Sequence, residues 1–211
     1  MARRKVSNPL ALAVLALLTE KPMHPYEISS TLRERAKEES IKLNYGSLYS
    51  VVESLRKHGL IDVHEIVRDG KRPERTVYEI TDAGREELVD WHSELLSFPV
   101  KEFTQFEAAL SLMPVQSPDA VVRLLEVRRF RLGTEVVSME AVIDTMAKEG
   151  MPYLWAIEAD YALQLRRAEL RFVEELLDKI KGDTLEGLGV WRRAHEGGDF
   201  PTADDWARAA E

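Results

Sequence analysis

The stretch Asn44-Tyr45-Gly46-Ser47-Leu48-Tyr49-Ser50-Val51-Val52-Glu53-Ser54-Leu55-Arg56-Lys57-His58-Gly59 decides the fold. Between Gly46 and Lys57 the apolar residues Leu48, Val51, Val52 and Leu55 recur at helical spacing and form one stripe, so the segment is expected to be a helix buried on that side. Gly59 stops it as a C′ glycine. Opposite the stripe lie Gly46, Ser50, Glu53 and Lys57, with Ser47, Tyr49 and Ser54 beside them. Small residues at the leading end let a helix backbone come close to another molecule. A solvated helix face carrying small residues by chance is the alternative, to be weighed against the flanking elements.

Upstream, Asn8-Pro9 is an N-cap followed by proline in the first turn, and Leu10, Val14, Leu17 and Leu18 predict a first helix over 9–19. Pro25 opens a second, running to about Lys37, with Ile28, Leu32 and Ala36 on one face. Downstream the period becomes alternating, with Ile61, Val63 and Val67 on one side of a first strand and Tyr78 and Ile80 on a second. Between the strands lies Arg68-Asp69-Gly70-Lys71-Arg72-Pro73-Glu74-Arg75, a turn-forming loop with four basic groups. Thr81-Asp82-Ala83-Gly84 then caps a fourth helix carrying Leu88, Trp91 and Leu95 up to Pro99. Three helices, a strand, a basic loop and a strand make the order of a winged helix-turn-helix, whose third helix enters the major groove while the loop reaches the flanking backbone. The basic loop weighs against the bland reading of the helix face.

Several segments resemble the PadR family of bacterial regulators: Leu15-Ala16-Leu17-Leu18, Pro25-Tyr26-Glu27-Ile28, Gly46-Ser47-Leu48-Tyr49, Leu55-Arg56-Lys57-His58-Gly59-Leu60-Ile61, and the run from Arg75 to Arg85. The resemblance covers residues 9–96 and continues by length and helical character alone, as in the family's long form with an all-helical C-terminal domain. One departure is Pro25, where the family usually has glycine before the tyrosine; proline suits a first helical turn. The resemblance implies a dimeric repressor on an inverted-repeat operator, released by small aromatic or phenolic effectors. The expected contacts to double-stranded DNA are Tyr26, Asn44, Tyr45, Gly46, Ser47, Tyr49, Ser50, Lys71, Arg72 and Arg75. The expected architecture is mainly α, with a winged helix-turn-helix DNA-binding domain over 1–98 and a helical dimerisation and effector domain over 99–211.

The second half is dominated by two long amphipathic helices, expected over 119–148 and 153–181 around Gly150-Met151-Pro152. Val121, Leu125, Arg128, Leu132, Val136, Met139, Ile143 and Met146 trace the seam of the first; Tyr161, Leu165, Ala168, Phe172, Leu176 and Ile180 trace that of the second. An intrachain hairpin explains both stripes. The two-fold geometry of adjacent half-sites favours a homodimer contact from the same helices. The tail from Gly182 is expected to hold a short helix and a partly ordered end.

Charge supports this division. The net charge is −8 over 211 residues, but residues 1–80 hold 14 Lys and Arg against 11 Asp and Glu, and residues 81–211 hold 15 against 26. A mildly basic first part on an acidic body suits a local DNA footprint. The absence of cysteine excludes disulfides, thiolate metal sites and a cysteine nucleophile, and fits the cytoplasm. The longest apolar run, Pro9 to Leu18, is half a bilayer span, and no cleavage site follows Arg3-Arg4-Lys5.

No enzyme motif is present. The five histidines form no metal-binding pair, and neither a nucleophile elbow nor a P-loop occurs, so no catalytic residue, metal or cofactor is expected. Trp91, Phe98, Phe103 and Phe106 near the junction of the halves, with Trp155, are candidates for stacking on a flat effector, core packing being the competing role. The resemblance puts Trp91 first, since in some smaller members a tryptophan on the corresponding helix stacks on aromatic ligands. A constitutive DNA-binding or architectural protein, without an effector, is the alternative function.

Overall fold

The computed structural model describes residues 8–67 and 74–197. The chain divides into two compact units, residues 1–101 and 102–211. The first is a winged helix and the second is all-helical.

In the first unit, α1 (Pro9–Leu18) begins at Asn8, whose side-chain oxygen accepts the Leu10 amide at 3.0 Å. It is apolar almost all round and sits at the centre of the core, with Leu10, Ala11, Val14 and Leu15 fully buried. Helix α2 (Pro25–Glu34) packs Ile28 and Leu32 into the same core. It ends before Lys37 because Ala36 adopts a left-handed conformation (φ 52°), so Ala36 does not extend the buried face, and a 3-10 turn follows at Lys37–Glu39. A forked pair from Arg35 to Glu20, at 2.5 and 2.8 Å, ties this turn to the end of α1. Helix α3 (Tyr45–Lys57) buries Leu48, Val51, Val52 and Leu55 as its stripe requires. Gly59 (φ +71°) ends it: the Gly59 amide donates to Arg56 O and the Leu60 amide to Leu55 O, a Schellman closure.

Strands β1 (Ile61–Val67) and β2 (Arg75–Ile80) form an antiparallel pair, with Ile61 opposite Ile80 and Val63 opposite Tyr78. Met23 adds one bridge on Tyr78, exchanging both backbone bonds at 3.0 Å. A bulge between Val63 and Glu65 corrects the simple alternation. Because the extra residue reverses parity, Ile66, opposite Thr76, shares the side of Ile61 and Val63, whereas Val67, opposite Arg75, faces the other way. Helix α4 (Asp82–Ser97) follows, capped by Thr81, and buries Trp91 in the core.

The second unit contains α5 (Gln105–Ser111), α6 (Pro118–Lys148), a 3-10 turn at Tyr153–Trp155, α7 (Ile157–Lys181) and α8 (Leu188–Gly197). Ion pairs Lys181–Glu126, Arg128–Glu169 and Arg166–Glu135 step in opposite directions along α6 and α7, with Arg167–Glu140 next to the last, which fixes an antiparallel hairpin. The face of α6 turned inward is the expected one: Val121, Leu125, Leu132 and Val136 are buried, while Arg128, Met139, Ile143 and Met146 are half-buried.

On α7 the end of the expected line holds, with Ile180 buried and Leu176 half-buried, but the rest of the buried line is Leu163, Val173 and Leu177, with Leu170 half-buried. Tyr161, Leu165, Ala168 and Phe172 are exposed. The helix carries two apolar stripes, and the ion pairs of Arg166, Arg167, Glu169 and Lys181 rotate the second one toward α6. Helix α8 closes the unit, Trp191 donating to Gln116 O at 2.8 Å. No described helix is long and apolar enough to cross a membrane.

Candidate nucleic-acid interface

The leading end of α3 is built by its cap. Asn44 is extended, and its side-chain oxygen accepts the Ser47 amide at 2.7 Å, while the Ser47 hydroxyl donates back to Asn44 O at 3.0 Å. The Ser50 hydroxyl donates to Gly46 O at 3.0 Å. These bonds hold the three polar side chains against their own helix and leave a low surface, on which Gly46 and Ser50 are exposed and Ser47 is half-buried. Tyr49 stands out of it, half exposed.

Gly46 is the informative residue. It is the second residue of α3, and a β-carbon here would meet only Asn44 Oδ1, at an ordinary 3.7 Å. Nothing in the described packing requires glycine. Its use is open space at the start of the helix, where backbone can be approached from outside.

The second element is the start of α2. His24 caps it, Nδ1 accepting the Tyr26 amide at 3.1 Å while Glu27 accepts the His24 amide at 3.0 Å. Its imidazole is held below the usual value, first by partial burial and then by Arg75 on β2, against the opposing pull of Glu27. Tyr26 projects from the first turn, 61% exposed. Through the Met23 bridge to Tyr78, the sheet fixes this turn beside β2, where Arg75 is exposed at the mouth of the wing. Lys71, Arg72 and the Tyr45 side chain lie outside the described residues. His24 is not among the expected contact residues; in the structure it is the cap that sets the turn carrying Tyr26.

The aromatic candidates are dispersed. Trp91 is 4% exposed in the first core, and Phe98 is exposed as the C-cap of α4. In the second unit Phe103 and Trp155 are exposed. Phe106 is half-buried, stands edge-on to Phe172 with centroids 6.5 Å apart, and has the Arg128 guanidinium 3.6 Å over its ring. Arg128 in turn donates to Glu169, its Nε at 2.7 Å. Trp155 lies beyond the far end of α6, about 30 Å of helix axis from Arg128 at 1.5 Å per residue. Phe106 and Trp155 therefore do not line one small site within a protomer. Among the described residues, no group of three or more His, Asp or Glu side chains is placed to hold a metal ion.

A capped third helix with a low outer face, a two-stranded wing and an apolar first helix define a winged-helix domain of the DNA-binding class. Residues 14–90 match the transcriptional regulator PadR-like family, so the first unit carries a PadR-like domain. The fold of the longer chain is similar to that of solved regulators. Bacillus subtilis PadR in complex with operator DNA is 19% identical at a TM-score of 0.65, covering 82% of this chain and 99% of that one. The same protein in complex with p-coumaric acid is 18% identical at 0.64, covering 82% and 98%. A PadR-like transcriptional regulator from Bacillus cereus is 18% identical at 0.55, covering 82% and 99%. No curated protein matches the sequence.

Proposed function

We propose that this chain is a dimeric transcriptional repressor that reads an inverted-repeat operator with α3, grips the flanking backbone with the wing, and leaves the DNA when a small aromatic or phenolic effector binds. The observation that carries the reading is Gly46: a residue with open space where a side chain would be, at the exposed, well-capped leading end of α3. Such a face admits base edges and phosphates at close range. Tyr26, Asn44, Tyr45, Ser47, Tyr49 and Ser50 would surround the approach, Asn44 through its role in setting the first turn. Lys71, Arg72 and Arg75 would meet phosphates.

Dimerisation is supported by an exposed apolar line on α7 through Tyr161, Leu165 and Ala168, continued by Phe172, which is half exposed beside Phe106. A second copy would cover it and set two reading heads for adjacent half-sites. The helical half, from about residue 99, would then be the dimerisation domain. An effector is supported by the family domain and by the p-coumaric acid complex of the solved relative. Phe98, Phe103 and Trp155 are exposed and available for stacking, whereas Trp91 would have to leave the first core and Phe106 its contacts with Phe172 and Arg128.

The test is a gel shift on the operator, with a panel of phenolic and aromatic acids. Release by at least one compound, with 5- to 150-fold weaker binding as is typical of allosteric coupling, is expected. Binding indifferent to every compound would make the chain a constitutive DNA-binding protein.

A further inference from the structure

Glu53 is the single carboxylate of α3, and it stands on the face that the proposed function turns toward DNA. It follows Gly46 by seven residues, two turns along the same side, about 10 Å at 1.5 Å per residue. That span fits within a major groove about 12 Å wide. Its side chain is 63% exposed. A face serving only to grip phosphates gains nothing from a negative charge at its centre, since a carboxylate repels the polyanion.

The carboxylate is also oriented. Arg56, one turn on, donates from Nη2 to Glu53 Oε1 at 3.3 Å, and the pair raises the guanidinium's affinity for its proton. One oxygen is thus engaged at the helix surface and Oε2 is left to accept from outside. The major-groove edge of a G·C pair offers one donor, the cytosine N4 amine, for which a carboxylate is the matching acceptor. Guanine O6 and N7 are acceptors and would repel it.

We propose that Glu53, positioned by Arg56, is a specificity-determining residue that selects cytosine at one position of each half-site by accepting a hydrogen bond from its N4 amine. This rests on α3 being the reading helix. The residue adds discrimination at the expense of general affinity.

The experiment is selection of bound duplexes from a random library by the full-length chain, its E53Q variant and its E53A variant at fixed salt. Competition between the selected duplex and one changed at the assigned position follows. The parent is expected to enrich cytosine at one position per half-site and to disfavour the changed duplex about 5- to 150-fold, the range of a good base contact. E53A is expected to lose that preference, to below about twofold on this scale, while keeping the rest of the motif. E53Q, which gains a donor, should admit adenine there. An E53A variant that keeps the cytosine preference, or tightens selected and random DNA by the same factor, overturns the assignment and leaves Glu53 as a repelling charge only. A parent that enriches no motif overturns the reading of α3 itself.

Discussion

Gly84, at the start of α4, lies so close to Leu60, just past α3, that a β-carbon on residue 84 would overlap the Leu60 carbonyl oxygen and stand 2.8 Å from Cγ1 of Ile80. Thr81 completes the joint. Its hydroxyl donates to Gly59 O at 2.7 Å and accepts the Gly84 amide at 3.0 Å, and its own amide donates to Leu60 O at 3.1 Å. The end of the reading helix and the start of α4 are therefore one rigid corner.

Gly84→Ala should destabilise the first unit by about 3 kcal/mol or more, at the upper end of overpacking costs, because the obstacle is backbone and cannot swing aside. Gly59→Ala, with nothing within 4 Å of the added carbon but a left-handed φ, should lose only about 1–2 kcal/mol. Urea unfolding of the two variants gives the order. Equal losses would mean that the corner is looser than its geometry.

His24 makes stability depend on pH. Its folded value lies below the unfolded one, through burial and then Arg75, so its contribution is fully present above about pH 6.5, the unfolded imidazole value, and is lost as pH falls through the folded value. Protonation also removes the Nδ1 acceptor of the Tyr26 amide. His24→Asn keeps a cap acceptor without the titration. The fall in thermal midpoint between about pH 6.5 and 5 should be smaller in the variant than in the parent. An unchanged profile would count against His24 as a titrating cap.

Much of the first unit was legible because its cues are local. Asn8-Pro9 and Gly59 sit at helix ends whose caps use only neighbouring atoms, and the stripe of α3 has no competitor. Asn44 is expected from the sequence as a DNA contact and not as the cap it is. The end of α2 was overextended, since Ala36 leaves the helix beside an Arg35 held by a residue in α1. The parity change after Val63 depends on which β2 residue each β1 residue meets, a pairing absent from the strand's own pattern. On α7 the expected seam is the line through Tyr161, Leu165, Ala168 and Phe172 and not the line through Leu163, Val173 and Leu177, because the choice between them belongs to charges on α6. Phe106, Arg128 and Phe172 are brought together by tertiary packing alone, as no periodicity links α5 with the two long helices.

Leu165→Glu, on the exposed line of α7, should weaken self-association by about thirtyfold or more, the loss of one interface hot spot of about 2 kcal/mol, and leave helicity intact. Leu177→Ala, on the buried line, should instead cost about 2–5 kcal/mol of folding stability. Sedimentation and thermal unfolding of the pair separate the two faces. A Leu165→Glu chain as dimeric as the parent would move the interface elsewhere.

The wing should act through charge. Arg75→Ala should weaken binding to operator and random duplex alike, and make the plot of log affinity against log salt shallower by about 0.9 if one phosphate contact is lost. Adding substitutions at Lys71 and Arg72 should flatten it further. Equal slopes for variant and parent would remove these cations from the contact set.

The most direct test is the ratio of affinities for a selected inverted repeat and a scrambled duplex at one salt concentration, measured for the full chain and for Gly46→Leu. The parent should prefer the repeat by about 10³-fold or more. The variant should stay folded, since residue 46 has open space, and its ratio should collapse toward one because the added side chain holds α3 off the bases. A parent ratio near one, or a Gly46→Leu ratio equal to the parent's, would contradict the account of α3 as the helix that reads DNA.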